Sequence, residues 1–559
     1  MAKSNDALNK QKIFYKSDIY QRLGSFFKNK KILFVILGLG VFMSLINFNA
    51  RISEAHDDSL YIEAGYRYVH EFPNYYYTAN APMYPMFLAL LTIVFGTNLI
   101  AFKLFSMLFF LAGAYIYYRA LDKKVPEILK YFVLIFLCIN HLVVYYSSQT
   151  FSESFYMFIQ SIFFYFFLEY NFGDNSFSGD LKKDCKKWLT IGFLMMILTL
   201  AKNILVFGIA GIILFYLFQK EYRKAIFAAL SFGMFKFLYE IVKSAIWGAS
   251  AIQYKSQMGI LLNIDPYDAS KGQEDMAGFI GRFTDNIGLY FGKRFYQILG
   301  FMSEDNPKIS YPLSFIVIAL MLYGLYRAVK DRQKAISFLL FFSATVAFGT
   351  FFVLQARWDQ PRFLLVHMPA ILLGISYGIY KFFEKDSINQ RFFVLIILII
   401  TCSMAVSTIK RGAKNVPIVS KNLKGDIYYG YTPDWKNYLE MSAWTRDGLP
   451  ENSLVACRKA PMSFVYAKGK HFYPIYSVIA KDATTQQSNP DSALAIFKRN
   501  KVTHILLASL RVNPAQNTGD VINTLHNIMA PIIEKYPEKL TVIKQIGDTE
   551  PAYMYKINY

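Results

Sequence analysis

Asp57 and Asp58 stand side by side beyond the first apolar run of the chain, in EAHDDSLYIEAGYRYV, and a third carboxylate, Glu153, sits in YYSSQTFSESF at the start of a later run. Three cations occupy comparable places: Lys202 in LTLAKN, and Arg357 and Arg362 in QARWDQPR. A carboxylate can take the proton of an attacking hydroxyl, and fixed cations can stabilise a departing oxyanion. At the depth of lipid headgroups this combination suits group transfer from a lipid phosphate, because a leaving phosphate is a weak base that needs positive charge more than a proton. Adjacent side chains diverge, so one of Asp57 and Asp58 is expected to reach the reacting centre while the other caps or orients. Each group also has an ordinary structural reading, the carboxylates as N-caps or solvated loop charges and the cations as C-terminal caps or partners of Asp359. His56, Asp57 and Glu153 are the candidate metal donors, too few and too dispersed to define a site.

Membrane helices must bring these groups together. Of 559 residues, 54% are hydrophobic and only 18% charged, too apolar for a soluble chain of this length. Apolar runs of bilayer length recur without the alternation of a barrel, so the fold class is a polytopic α-helical membrane protein. The net charge of +21 is dispersed over short loops, the pattern of membrane topology and anionic lipid rather than of nucleic acid. Cys138, Cys185, Cys402 and Cys457 provide neither a disulfide framework nor a zinc spacing.

Runs near 32–48, 99–119, 128–146, 155–170, 188–201, 203–218, 225–247, 311–326, 335–354, 363–382 and 392–409 give about 11 spans. A shorter run at 83–95 is read as a juxtamembrane helix, since only then do the Lys- and Arg-bearing loops between spans all face the cytoplasm. Residues 1–31 are then a cytoplasmic segment ahead of a retained anchor, 32–411 a transmembrane catalytic domain, and 51–98 and 248–310 its outer loops. Asp57, Asp58, Glu153, Lys202, Arg357 and Arg362 all fall on the outer side. Lys236 and Glu240, four apart in one span, read as an intramembrane structural pair.

The stretch DDSLYIEAGYRYV, followed by NAPMYPMFLALLTIVFG and LIAFKLFSMLFFLAGAYIYYRAL, resembles the opening of the GT-C superfamily of membrane glycosyltransferases. The relatives it is most similar to are the protein O-mannosyltransferases and the lipid A aminoarabinose transferases. Asp57, Tyr61, Pro82, Pro85, Phe95 and Gly96 occupy the places of that pattern, and Glu153, Lys202 and QPRFLLVHMPAILLGI continue it. The resemblance implies an inverting transferase that uses a polyprenyl-phosphate-linked sugar on the outer face, with Asp57 as base and Tyr61 at the substrate. It also implies a protein, lipid A or glycan acceptor and, in some relatives, a divalent metal. The Glu-Lys of the aminoarabinose transferases is replaced here by Asn80-Ala81, which moves the phosphate role to Lys202, Arg357 or Arg362.

In the outer loop, GLYFGKRFYQILGF offers Lys293 and Arg294 to lipid headgroups, with ordinary interfacial anchoring as the plainer reading. From 412 to 559 the composition becomes that of an extracytoplasmic α/β domain, with strands in SLVACR, KVTHILLAS, LTVIKQIGD and AYMYKINY and helices near 435–446, 490–500 and 519–535. Arg458 in CRKAPMSFVYAKGKHFYP is a candidate contact to donor or acceptor. The expected location is a bacterial inner membrane. A polysaccharide ligase or polymerase, or a lipid-linked-sugar flippase, are the rival readings; a flippase would place charges near mid-membrane and needs no exported domain.

Overall fold

The structure, a computed structural model, describes residues 19–53, 57–251, 257–266, 271–356, 358–482, 487–512 and 520–559. Every apolar run lies on a helix, because a chain in lipid must satisfy its backbone groups within the segment. Among the described residues, five helices are long and apolar enough to cross a membrane: Leu99–Leu121, Tyr222–Ala251, Tyr311–Lys330, Lys334–Val353 and Ile388–Leu423. Two bent pairs, Ile19–Phe27 with Lys30–Ile46 and Glu127–Ile139 with His141–Ser147, raise the number to seven. The other four expected spans are the helices Ser152–Phe172, Leu181–Ala201, Val206–Phe218 and Met368–Phe382. Polar residues such as Glu153 and Gln160 dilute the first, LKKDCKK opens the second, and the last two are 13 and 15 residues long. The chain is a multi-pass membrane protein.

The first connection is itself helical. Asp57–His70 carries Asp57 and Asp58 in its first turn and Arg67 and His70 in its last, both ends complementing the helix dipole. Against it packs Met83–Phe95, 13 residues and therefore about 20 Å long, short of a bilayer crossing. The approach is close enough that a Cβ on Gly65 would stand 2.9 Å from Leu88 Cβ. Tyr84 and Leu88 are buried in this contact while Leu90, Ile93 and Val94 point outward.

The last long helix, Ser387–Leu423, runs on past position 412 with Pro417 inside it, so the expected domain boundary falls within a helix. Beyond it lies a five-stranded mixed sheet of order β2-β1-β3-β7-β6, where β1 is Leu454–Cys457, β2 Phe472–Pro474, β3 Val502–Leu507, β6 Leu540–Ile546 and β7 Ala552–Ile557, while β4 (Arg511–Val512) and β5 (Asp520–Val521) pair with each other outside it. β1 pairs in parallel with β2 and β3, and β7 runs antiparallel to β3 and β6. Helices Pro433–Gly448, Ala460–Tyr466, Pro490–Arg499 and His526–Lys535 flank it. This domain sits on the first connecting helix: Tyr66 meets Phe464 edge-on at 5.1 Å, and a Cβ on Gly469 would lie 3.2 Å from the Tyr66 ring.

Candidate active site

The two adjacent aspartates have different surroundings. Asp58 is fully buried and accepts hydrogen bonds from the backbone N–H groups of Ser53 and Ser59, each at 2.8 Å. Burial pushes its carboxyl above the usual range, against the opposing pull of nearby Lys103 and of those two N–H groups. Asp57, one position earlier on the same helix, keeps 29% of its side chain exposed and receives Arg362 Nη2 on Oδ2 at 2.5 Å.

Arg362 opens the short helix Arg362–Leu365 behind Pro361, and its guanidinium lies near the rings of Phe151 (5.0 Å) and Phe363 (5.2 Å). Its Nη1 faces Glu153 Oε1 at 3.8 Å, and that same oxygen takes Lys202 Nζ at 2.7 Å. Glu153 stands in the first turn of Ser152–Phe172 with 2% of its side chain exposed, and Lys202 caps the C-terminus of Leu181–Ala201. Four elements far apart in sequence thus converge in one alternating row of charge: Asp57, Arg362, Glu153, Lys202. Each opposite neighbour offsets desolvation that would be prohibitive for an isolated ion. Tyr61, one helical turn beyond Asp57, donates to Ser152 Oγ at 3.5 Å and packs against Tyr77 and Tyr84.

Lys293 and Arg294 are not spread toward lipid. Lys293 Nζ stands 2.7 Å from Asp359 Oδ2, Arg294 Nε 2.5 Å from Oδ1, and Arg294 Nη2 donates to the Asp359 carbonyl at 2.8 Å. Both belong to a π-helical turn, Tyr290–Arg294, and together they clamp the segment that delivers Arg362. Arg458 lies in the C-terminal domain, where its Nε donates to the Ile522 carbonyl at 3.1 Å and its guanidinium faces Tyr476. Lys236 and Glu240 are paired at 2.8 Å on helix Tyr222–Trp247. His56 and Arg357 lie outside the described residues.

Among the described residues no three His, Cys, Asp or Glu side chains come together as metal donors. Asp57 and Glu153 are bridged by a guanidinium, so the positive charge between them is supplied by Arg362.

Three further groups escaped sequence reasoning. Lys103, fully buried, donates to the Ser148 carbonyl (3.3 Å) and Gln149 Oε1 (3.2 Å), fixing the turn that precedes Glu153. A lone lysine in LIAFKLFSM was a visible signal, since an ionisable residue inside an apolar run demands a reason. His367 follows Arg362 in the chain and is buried, with no hydrogen-bond partner for its Nδ1 among the described residues. Arg51 lines a cavity of about 420 Å³ together with Ser53, Tyr145, Tyr146, Arg362 and Tyr431. It is a cation just beyond the first span, the same signal that had drawn attention to Lys202 and Arg362.

A family model described as the Alg9-like mannosyltransferase family matches residues 65–250, a stretch that includes Glu153 and Lys202 and begins after Asp57. Among solved structures, ArnT from Cupriavidus metallidurans bound to undecaprenyl phosphate superposes with a TM-score of 0.54 at 10% identity, over 94% of this chain and 98% of that one. Apo ArnT from the same organism gives 0.52 at 11% identity over 94% and 98%. The apo oligosaccharyltransferase of Archaeoglobus fulgidus gives 0.51 at 12% identity over 85% and 69%. No curated protein sequence matches the chain. The fold is that of the GT-C enzymes, and the matched family is one of glycosyltransferases.

Proposed function

We propose that this GT-C glycosyltransferase transfers a sugar from a polyprenyl-phosphate donor to an acceptor hydroxyl or phosphate, with inversion, on the outer face of a cytoplasmic membrane. The observation that carries the reading is the placement of Asp57: the exposed carboxylate of the three, aimed by Arg362 beside the cavity that Arg362 also lines. With a hydroxyl acceptor, Asp57 takes its proton as the acceptor oxygen bonds to the anomeric carbon. The bond from that carbon to the phosphate oxygen breaks, and its electron pair leaves on the lipid phosphate, which gains one negative charge. Asp57 ends protonated, and charge balances across the step. Asp58, held by two backbone N–H groups, orients the helix start rather than reacting. Glu153 holds Arg362 and Lys202 in place, so that both stand as fixed positive charges of the site. The solved ArnT complex with undecaprenyl phosphate supports a lipid-phosphate donor for the shared fold.

In this reading the C-terminal domain, which packs on the helix that starts with Asp57, presents the acceptor. The test is reconstitution of the purified protein with a panel of undecaprenyl-phosphate sugars and envelope extracts, reading release of undecaprenyl phosphate. Acceptor-dependent release supports the assignment. Transbilayer movement of the intact lipid-linked sugar without release would make the protein a flippase instead.

A further inference from the structure

We propose that Arg51 is the guanidinium that receives the phosphoryl oxyanion of the lipid donor, an assignment that rests on the lipid-phosphate reading above. The distribution of charge partners points to it. Arg362 spans Asp57 and Glu153, Lys202 is on Glu153, Lys293 and Arg294 are on Asp359, and Arg411 is on Glu304. Arg51 lines the same cavity as Arg362, yet among the described residues no carboxylate lies within ion-pair distance of its guanidinium, and its Nε is buried without a hydrogen-bond partner. Keeping a partly desolvated cation with no anion is costly unless an anion arrives.

The surroundings hold that guanidinium in one pose. It lies 4.6 Å over the ring of Tyr431, whose hydroxyl donates to the Ile52 carbonyl at 2.5 Å and meets Tyr466 Oη at 3.0 Å. Gly430 has φ +94°, and a Cβ there would stand 3.1 Å from both Cζ and Nη1 of Arg51. The chain entering the C-terminal domain therefore presses against the guanidinium with the one residue that leaves it room. The segment is also tied to the neighbour of the base: Arg51 N donates to Asn49 Oδ1 at 2.9 Å, and Ser53 N to Asp58 at 2.8 Å. Arg51 is thus tied, through Ser53, to the residue beside Asp57. A stacked guanidinium offers its N–H edge to phosphate oxygens in a fixed plane, a geometry that a lysine ammonium does not reproduce.

The experiment measures binding of undecaprenyl phosphate, undecaprenol and inorganic phosphate to the full-length protein in lipid nanodiscs, for wild type, Arg51→Ala, Arg51→Lys and Gly430→Ala. Undecaprenyl phosphate affinity is expected to fall about 10- to 100-fold in Arg51→Ala, to be only partly restored in Arg51→Lys, and to weaken in Gly430→Ala, while undecaprenol binding stays unchanged. Wild-type affinity in Arg51→Ala would overturn the assignment and leave the transferase reading intact. Should Arg51→Ala fail to fold, wild-type affinity in Arg51→Lys overturns the need for a guanidinium. Arg51-dependent binding of inorganic phosphate with no binding of undecaprenyl phosphate would overturn the lipid source and, with it, the donor proposed above.

Discussion

Arg362 Nη2 rests 2.5 Å from Asp57 Oδ2, closing a distance of 305 residues in sequence and joining the helix Asp57–His70 to the turn before a late one. The contact does more than neutralise charge. Its other arm faces Glu153, so the orientation of the exposed carboxylate depends on a group buried on a third helix.

Replacing Arg362 separates these effects. Arg362→Ala leaves Glu153 buried with one cation fewer and should destabilise the protein by about 3 kcal/mol or more. Arg362→Lys keeps a charge but loses the two-armed fork, so it should fold while kcat/KM falls about 10- to 100-fold. Thermal unfolding in detergent and steady-state transfer rates report the two separately.

Glu153 and Lys202 form the inner half of the row. Glu153→Gln should lower stability by about 2 kcal/mol because Lys202 keeps its charge and loses its strongest partner. Adding Lys202→Met should restore part of that loss, giving a coupling well above the few tenths expected of independent sites. A double-mutant cycle on unfolding midpoints measures it; additive effects would mean that the pair does not act as a unit.

Asp359 collects Lys293 and Arg294 and so sets where Arg362 stands. Asp359→Asn should lower the single-turnover rate about 10-fold while leaving undecaprenyl phosphate affinity within about threefold, since the lost element is alignment rather than a ligand. A large loss of affinity with an unchanged rate would instead return Lys293 and Arg294 to the lipid phosphate.

Glu63 is half-buried where the helix Asp57–His70 meets the C-terminal domain, and burial pushes its carboxyl up to about 7 despite the opposing pull of Arg67. Because the folded value lies above the unfolded one, the stabilisation is fully present below about pH 4.5 and is lost as pH rises through 7. Allowing for solvent screening, the change is on the order of 2 kcal/mol. Unfolding midpoints should therefore fall between pH 5 and about 8, and Glu63→Gln should flatten that part of the profile. An unchanged slope in the variant would place the titrating group elsewhere.

The sequence made the helices legible because each apolar run has a single way to satisfy its backbone in lipid. The end of the last one was hidden: KRGAK reads as an exit from the membrane, but a helix needs apolar residues only where lipid surrounds it, and this one continues to Leu423. The strands LVAC, VTHILL and AYMYKI announce themselves through apolar and aromatic residues, whereas β2 is three residues, FYP, too short for any pattern. At the site, residue types were visible and pairings were not. Nothing local in GLYFGKRFYQILGF says that Asp359 will take both cations, and nothing in NARISE says that Gly430 will pack on Arg51, since both contacts are made by folding across the whole chain.

The central claim is that Asp57 removes the acceptor proton. It is tested most directly by single-turnover transfer from an undecaprenyl-phosphate sugar in Asp57→Asn, with undecaprenyl phosphate binding measured on the same preparation. The amide keeps the shape of the side chain and loses its basic oxygen, so turnover should fall about 100-fold or more while binding persists. Turnover near that of the wild type, with binding intact, would contradict the account.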